Sequence, residues 1–177
     1  MTLDGYFTDA HGDMSWAHQQ DPEWNEFMAA NASGGGELVF GRITYDLMAG
    51  FWPTPLALQS MPLVAERMNL LLKIVFSKTM GKAAWNNTRL IKSDIISATR
   101  KLKEERGDTL VIMGSGSIIA QLTSAGLIDE YQIVIHPIVL GDGTTMFDGI
   151  KQKLDLKLTK TRTFGNGNVF LCYEPKA

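Results

Sequence analysis

The chain has 177 residues, with 17 Lys and Arg against 19 Asp and Glu and a formal net charge of −2. This length suits one domain that buries roughly two-thirds of its unfolded surface, so residues 1–177 are expected to form a single domain. The balanced charge argues against nucleic acid as a partner. The single cysteine, Cys172, cannot form an internal disulfide, and no signal pattern or apolar run of about 18 residues is present. A cytoplasmic location and no membrane association are therefore expected.

The first half of the chain predicts two helices and three strands. The stretch DPEWNEFMAAN predicts a helix with Asp21 as N-cap and Pro22 at its first position. One face of this helix carries Trp24, Phe27, Met28 and Asn31. ELVF then predicts a strand that leads through a glycine turn into a second helix, GRITYDLM. LLKIVFS and TRLI predict two more strands, of which LLKIVFS is expected to be buried.

The second half alternates in the same way and then ends in strands alone. SDIISATRKLKEERG predicts a helix with Ser93 as its cap and Gly107 as its stop. TLVIM predicts a strand, and a helix follows from about Ser117 to Ala125, stopped by Gly126. EYQIVIHPIVL, LKLTKTRTF and NVFLCYE predict the closing strands. The pattern favours an α/β fold whose sheet is mainly parallel with antiparallel pairing at its end.

A possible anion site lies where TLVIM ends in Gly114-Ser115-Gly116-Ser117 and a helix begins. Free backbone N–H groups, two hydroxyls and the positive end of a helix dipole meet there, which suits a phosphate. A tight turn without any ligand is an equal alternative. The stretch is not a complete dinucleotide fingerprint, because Ile119 stands where G-x-G-x-x-G needs its third glycine.

Two further strand ends carry similar chemistry. GRITYDLM places Arg42 and Thr44 in the first turn of a helix, and Ser77-Lys78-Thr79 follows the strand LLKIVF. Arginine offers a planar fork of donors that matches phosphate. Each of these is alone more typical of a solvated strand end, but three in one sheet favour a long polyphosphate ligand such as a dinucleotide.

The order of these motifs resembles a known family. T-L-D-G-Y, VFGRITYDLM with WP after it, IVFSKT, VIMGSGSIIAQL and GLIDEYQIVIHPIVLGDGTTMF follow one another as in the dihydrofolate-reductase-like superfamily. The resemblance is closest to the reductase domain of the riboflavin-biosynthesis deaminase-reductase, and it spans residues 2–173. It implies a central mixed, mainly parallel sheet flanked by helices, a homodimer, and NADPH lying across the strand ends.

The resemblance also implies which residues hold the cofactor. The adenosine side would contact Gly41, Arg42, Thr44, Ser77, Lys78 and Thr79, whereas the pyrophosphate and nicotinamide would contact Gly114, Ser115, Gly116, Ser117, Ile118 and Ile119. NADPH is expected over NADH, because Arg42 and the Ser77–Thr79 turn supply positive charge and donors for a 2′-phosphate. No acidic residue adjoins Gly41 to pair with a free ribose diol.

The chain departs from the family pattern in two places. The apolar strand that precedes T-L-D-G in the family is nearly absent, as if the true start lay upstream of Met1. Dihydrofolate reductases also use a carboxylate on the first helix, whereas here Glu26 falls opposite the apolar face and Glu23 on its flank. Activity on dihydrofolate itself is therefore not expected.

The predicted chemistry needs few side chains, because a dihydronicotinamide already carries the hydride. Asp4 is the candidate for a substrate contact or proton relay, with a simple Asp-Gly turn as the equal alternative. Four residues could wall a planar heterocycle, although the core is the more common place for such side chains: Trp16, Trp24, Phe27 and Met28.

The remaining signals exclude a metal centre and leave two functions open. The spacing of His11, His18 and His136 matches no zinc site. EYQIVIHPIVL is long and apolar, so it would need cover if it lay at a sheet edge, which also favours a homodimer; a buried central strand is the alternative. The first function is an NADPH-dependent reductase of a small electron-poor heterocycle such as a pterin, an aminouracil or a flavin-like ring. The second is a non-catalytic nucleotide- or ligand-binding protein on the same fold.

Overall fold

The computed structural model describes residues 1–17, 21–105, 107 and 109–176. Six α-helices lie in these ranges: α1 (Pro22–Ser33), α2 (Arg42–Phe51), α3 (Pro55–Ser60), α4 (Pro62–Leu70), α5 (Ile95–Glu104) and α6 (Gly116–Ser124). Nine strands accompany them: β1 (Tyr6–Thr8), β2 (Glu37–Gly41), β3 (Lys73–Phe76), β4 (Thr88–Ile91), β5 (Leu110–Ile112), β6 (Tyr131–Ile135), β7 (Thr144–Thr145), β8 (Leu156–Thr163) and β9 (Val169–Pro175). None of these helices is long and apolar enough to cross a membrane.

The chain divides into two compact units, of which residues 27–119 form one. Its sheet has the order β4-β3-β2-β5, and all three pairings are parallel. Every residue of β3 is buried, as a strand inside a covered parallel sheet requires. The core of this unit consists of Leu38, Phe40, Tyr45, Met68, Val75 and Trp85. The predicted strands ELVF, LLKIVFS, TRLI and TLVIM are thus confirmed as neighbours in one parallel sheet.

The other unit comprises residues 1–26 and 120–177. Its three-stranded sheet has the order β6-β9-β8 with antiparallel pairing throughout, and β1 pairs with β7 in a small separate ribbon. Cys172 is buried in β9, as expected of a small side chain inside a strand. The antiparallel pairing predicted for the closing strands is therefore confirmed, although these strands form a sheet of their own rather than the end of the parallel sheet.

The structure confirms the predicted cap of α1 and corrects the predicted residues at both ends of α5. The N–H of Trp24 donates to Asp21 Oδ1 at 2.7 Å, so Asp21 caps α1 as predicted. The cap of α5 is Asp94, whose carboxylate accepts from Ser97 N–H at 2.9 Å, and the prediction of Ser93 was wrong. Glu105, rather than Gly107, follows the last turn of α5. Two adjacent cap-forming residues look alike in sequence, and the register of the first turn decides between them.

Residues 1–3 lie beside the last part of the stretch EYQIVIHPIVL, on the side of β6 opposite β9. His136 N–H donates to Met1 O at 2.8 Å, and Leu3 N–H donates to Ile138 O at 2.9 Å. Thr2 and His136 form a parallel bridge. Residues 1–3 therefore cover residues 134–138 of this stretch. The homodimer stays a prediction from the resemblance.

The helices α3 and α4 were not predicted, and a buried lysine follows them. Lys73 is only 1% exposed, and its ammonium donates to the carbonyls of Asn69, Leu71 and Asn86 at 3.2, 2.6 and 3.3 Å. It also lies 4.4 Å from the centroid of the Trp85 ring. Burial lowers the pKa of Lys73 to about 8. This ammonium ties the end of α4 to β3 through carbonyl oxygens rather than through a carboxylate.

Candidate cofactor site

Gly41 joins β2 to α2 at a point where no side chain fits. A Cβ there would lie 2.7 Å from Ser115 Oγ and 3.1 Å from Ile118 Cδ1. The φ of Gly41 is −80°, which any residue adopts, so the close approach is what requires glycine. Its N–H also donates to Gly114 O at 3.1 Å. The turns that follow β2 and β5 are therefore packed directly against each other.

The turn after β5 needs glycine for a different reason. Gly114 has a φ of 114°, in the left-handed region, and a Cβ there would lie 3.4 Å from the Thr44 hydroxyl. The peptide bond between Gly114 and Ser115 is cis. The hydroxyls of Ser115 and Ser117 lie 3.0 Å apart and form a polar rim at the start of α6. The structure thus places both glycines and both serines in one turn, and anion binding there stays a prediction.

Two backbone donors of this turn are already engaged. The N–H groups of Ile118 and Ile119 donate to the carbonyl of Ser115 at 3.0 and 3.2 Å. The side chain of Ile118 is 4% exposed. Any anion at this turn would therefore approach residues 114–117 rather than the backbone of these two isoleucines.

The predicted strand end Ser77-Lys78-Thr79 lies beside the end of β2. Gly41 and Phe76 are partners in the parallel pairing of β2 with β3, so Ser77 follows β3 next to the point where α2 begins. Ser77 Oγ accepts from Met80 N–H at 3.0 Å and lies 3.5 Å from Thr79 Oγ1. The Ser77 hydroxyl thus shapes the turn, whereas Thr79 is exposed.

Lys78, in the same turn, is exposed and acts on a carboxylate at the start of α5. The N–H and hydroxyl of Ser97 hold the pKa of Asp94 below its ordinary value, and the positive charge of Lys78 contributes to the same shift. The contact of Lys78 with the cofactor stays a prediction.

A cavity of about 490 Å³ opens between α2 and the segment 79–84. It is lined by Arg42, Tyr45, Asp46, Ala49, Gly50, Thr79, Met80, Lys82 and Ala84. The guanidinium of Arg42 pairs with Asp46 at 3.3 Å, and both side chains are about half exposed, at 50% and 52%. Sequence reasoning found no acid near Gly41, yet the i,i+4 spacing of Arg42 and Asp46 was a readable signal. No sequence pattern predicted Lys82 at the cavity, because its position there depends on how the loop of residues 79–84 folds.

Asp4 is held in a loop of the other unit. Its carboxylate accepts from Gly141 N–H at 2.7 Å and from Leu140 N–H at 3.1 Å. The Thr2 hydroxyl and the Gly141 N–H hold the pKa of Asp4 below its ordinary value. The group is therefore ionised at neutral pH and can accept a hydrogen bond but has no proton to donate.

Two of the predicted pocket residues, Trp16 and Trp24, pack on one buried histidine. Their rings meet the ring of His136 edge to face, with centroids 5.3 and 6.1 Å apart. Trp24 is 8% exposed, so the core interpretation holds for this residue. Phe27 is half-buried, whereas Met28 is 40% exposed, so the inward orientation predicted for Met28 was wrong. α1 has too few apolar residues to bury all four positions of its face.

His136 is buried without a charge partner. It is 5% exposed, and burial together with the nearby positive N-terminus lowers its pKa to about 4. Within the part of the chain that the structure describes, its Nδ1 has no hydrogen-bond partner and no cluster of metal-ligating side chains occurs. His11 is exposed, and His18 lies outside the described residues.

The sequence profile of the RibD C-terminal domain family matches residues 1–170. This chain belongs to that family. The RibD C-terminal domain chain is 30% identical over 175 residues to YyaP of Bacillus subtilis (strain 168), itself uncharacterized, covering 98% of this chain and 90% of YyaP. The resemblance drawn from the motif order is thereby confirmed.

Solved structures show that this RibD C-terminal domain chain has the dihydrofolate-reductase-like fold. A "Putative riboflavin biosynthesis protein" from Shewanella sp. PV-4 superposes with a TM-score of 0.76 at 24% identity, over 100% of this chain and 96% of that one. Dihydrofolate reductase from Enterococcus faecalis, complexed with NADP(H), superposes with a TM-score of 0.64 at 14% identity, over 100% and 93%. The predicted fold class is confirmed.

Proposed function

We propose that this chain is an NADPH-dependent reductase that transfers a hydride to a small electron-poor heterocycle. The observation that carries the proposal is the packing of the β2–α2 turn against the β5–α6 turn, with Gly41 N–H bonded to Gly114 O. This packing brings two predicted phosphate-binding strand ends into one site. The family match and the NADP(H) complex of Enterococcus faecalis dihydrofolate reductase, which has the same fold, support the same proposal.

The chain's own groups fit a dinucleotide phosphate. Gly114 to Ser117 offer a short side-chain-poor turn with two hydroxyls at a helix start, which suits a pyrophosphate. Thr44 lies against Gly114 and can add a hydroxyl to the same site. Arg42 and Thr79 line the adjacent cavity and suit the adenosine end. Ser77 would act through the shape of its turn.

The nicotinamide, when bound, supplies the hydride, so the chain needs to bind, orient and shield the reactants. For the substrate we propose the heterocycles of the sequence interpretation, namely a pterin, an aminouracil or a flavin-like ring. Asp4 serves as a hydrogen-bond acceptor in this proposal, because its carboxyl is ionised. Trp16 is proposed as an apolar wall, since its ring packs edge to face on the buried His136.

Two variants test the cofactor site by calorimetric titration with NADPH. Arg42→Ala should weaken binding by about 1.5 to 3 kcal/mol, the scale of a charge-assisted hydrogen bond. Gly116→Val should abolish binding yet fold, because Gly116 lies in α6 and glycine, at about 1 kcal/mol below alanine in helix propensity, is no better a helix former than valine, at about 0.7 kcal/mol below. Ser117→Ala is the matched control at the next position and should lose little, since the backbone donors remain.

Turnover is tested by NADPH oxidation with pterins, aminouracil ribosyl phosphates, flavins and quinones. Oxidation with any one of them supports a reductase. Binding of NADPH without oxidation by any of them would favour the alternative, a non-catalytic ligand-binding protein. A Gly116→Val protein that folds and binds NADPH like the wild type would show that the phosphates lie elsewhere.

A further inference from the structure

A cavity of about 150 Å³ lies between β4 and α5, in the unit of residues 27–119, and shares no residue with the turns proposed to bind the cofactor. Its lining residues are Arg89, Ile91, Ser93, Ala98, Lys101, Leu102 and Glu105. β4 stands at the end of the strand order β4-β3-β2-β5, so the cavity lies at the edge of that sheet. Sites for drug-sized ligands measure about 300 to 1,000 Å³, so this cavity suits a smaller molecule.

The sequence places two rows of side chains around this cavity. Side chains of a strand alternate between its two faces, so Arg89 and Ile91 lie on the same face of β4. Ala98, Leu102 and Glu105 follow one another at steps of four and three residues, which puts them on one side of α5 and its end. Ile91 and Leu102 are half-buried and give the cavity an apolar floor.

The rim of the cavity carries charges of both signs. Arg89, Lys101 and Glu105 are exposed, and none of them forms an ion pair with a residue that the structure describes. Glu105 directly follows the last turn of α5, where the negative end of the helix dipole also favours a cation. The rim therefore offers one place for an anion, at Arg89 and Lys101, and one place for a cation, at Glu105.

We propose that this cavity binds a small α-amino acid with an aliphatic side chain. The planar guanidinium of Arg89 matches the two oxygens of the ligand carboxylate, and Lys101 adds a second positive charge. The carboxylate of Glu105 takes the α-ammonium group, and the apolar floor covers the aliphatic side chain. A ligand with only one of the two charges would leave part of the rim without a partner. The proposal does not depend on the proposed reductase activity.

The experiment is a two-dimensional NMR titration of the full chain with three probes of the same aliphatic shape. L-leucine carries both charges, 4-methylpentanoate lacks the ammonium group, and 3-methylbutylamine lacks the carboxylate. Wild-type protein should bind L-leucine with a dissociation constant below about 10 mM and shift the amide signals of residues that line the cavity. Each analogue should bind about five-fold more weakly or worse, because one pair of unit charges at about 4 Å in water changes affinity by about that factor.

Two substitutions remove the charges of the rim one at a time. Arg89→Gln should weaken L-leucine and 4-methylpentanoate about five-fold or more and spare 3-methylbutylamine. Glu105→Gln should weaken L-leucine and 3-methylbutylamine by a similar factor and spare 4-methylpentanoate. Arg100→Gln and Glu104→Gln are the matched controls, because they remove the same charges from exposed positions of α5 that do not line the cavity. Melting curves without ligand show whether each variant is folded.

Binding of L-leucine that the two rim substitutions weaken in this pattern, and that the two controls leave unchanged, supports the proposal. The proposal is wrong if wild-type protein binds none of the probes below about 10 mM, or if the controls weaken L-leucine as much as the rim substitutions do. Shifts at Gly41 and Gly114 without shifts at the cavity would place the ligand elsewhere and overturn it too. Calorimetric titration of the same variants with NADPH reports on the proposed cofactor site separately.

Discussion

Acidification from about pH 7.5 to about pH 5 should lower the free energy of unfolding by about 2 kcal/mol through His136 alone. This residue is 5% exposed between the rings of Trp16 and Trp24, and its pKa is lowered to about 4. In the unfolded chain the same side chain titrates near its ordinary value of 6.5. Between those two values the unfolded state binds more protons than the folded state, so stability falls as the pH falls.

The magnitude follows from the difference between the two pKa values. A shift from 6.5 to about 4 corresponds to about 3.4 kcal/mol once the pH is well below 4, of which about 2 kcal/mol is already lost at pH 5. The carboxylates with lowered pKa, such as Asp4 and Glu23, act mainly at lower pH, because their ordinary values are 3.8 and 4.5. Burial also lowers the pKa of the Met1 amino group from 8.0, so the contribution of His136 is the difference between the wild type and a variant without this histidine.

The assay is urea unfolding at a series of pH values, followed by tryptophan fluorescence. His136→Gln keeps a polar side chain of similar size but cannot titrate, so its stability should fall less than that of the wild type over this window. His11→Gln, an exposed histidine, is the control and should follow the wild type. A wild-type protein equally stable at both pH values, or a His136→Gln variant that keeps the full slope, would refute the reasoning.

Two further predictions concern the unit formed by residues 27–119. Burial lowers the pKa of Lys73 from 10.5, its ordinary value, to about 8 in the folded protein. Between these two pH values the unfolded chain binds more protons, so the contribution of Lys73 to the free energy of unfolding should rise with pH. The difference between wild type and Lys73→Met in urea unfolding should show that rise, and a constant difference would contradict it. Tyr45→Phe should lower the free energy of unfolding by about 1 to 3 kcal/mol, because the buried backbone N–H of Trp85, which donates to the Tyr45 hydroxyl at 2.9 Å, then loses its acceptor. Tyr173→Phe is the control, and equal losses in both variants would show that the hydroxyl of Tyr45 contributes nothing special.

The order of elements was readable from the sequence because local signals and burial agreed. LKIVF is apolar around its lysine and flanked by turn residues, and it forms the fully buried strand β3. The glycine that ends ELVFG also marks where α2 begins. By contrast, α3 and α4 were missed although Pro55 and Pro62 start them and Thr54 caps α3. Their Leu-rich sequence has no clear face, so periodicity gave no warning.

The site was predictable at the level of the backbone and less so at the level of side-chain direction. Gly41 and Gly114 could be recognised from the sequence, because glycine is favoured both where two turns pack closely and where φ lies in the left-handed region. That Lys82 rather than Lys78 lines the cavity beside α2 could not be predicted, since both lysines stand in one loop. Which of them faces α2 depends on how the segment 77–84 packs, and that is a tertiary property.

The tight fit around Gly41 divides the residues of the proposed cofactor site by how freely they can be varied. Because any Cβ at this position meets Ser115 and Ile118, a substitution here disturbs two turns at once. Arg42, Asp46, Thr79 and Lys82 are exposed, so changes at these positions leave the backbone of the turns in place. A mutant library meant to alter cofactor preference should therefore randomise the four exposed positions and keep Gly41 invariant. Such a library is expected to contain a high fraction of folded variants, and most of its substitutions would change residues that line the proposed cofactor site.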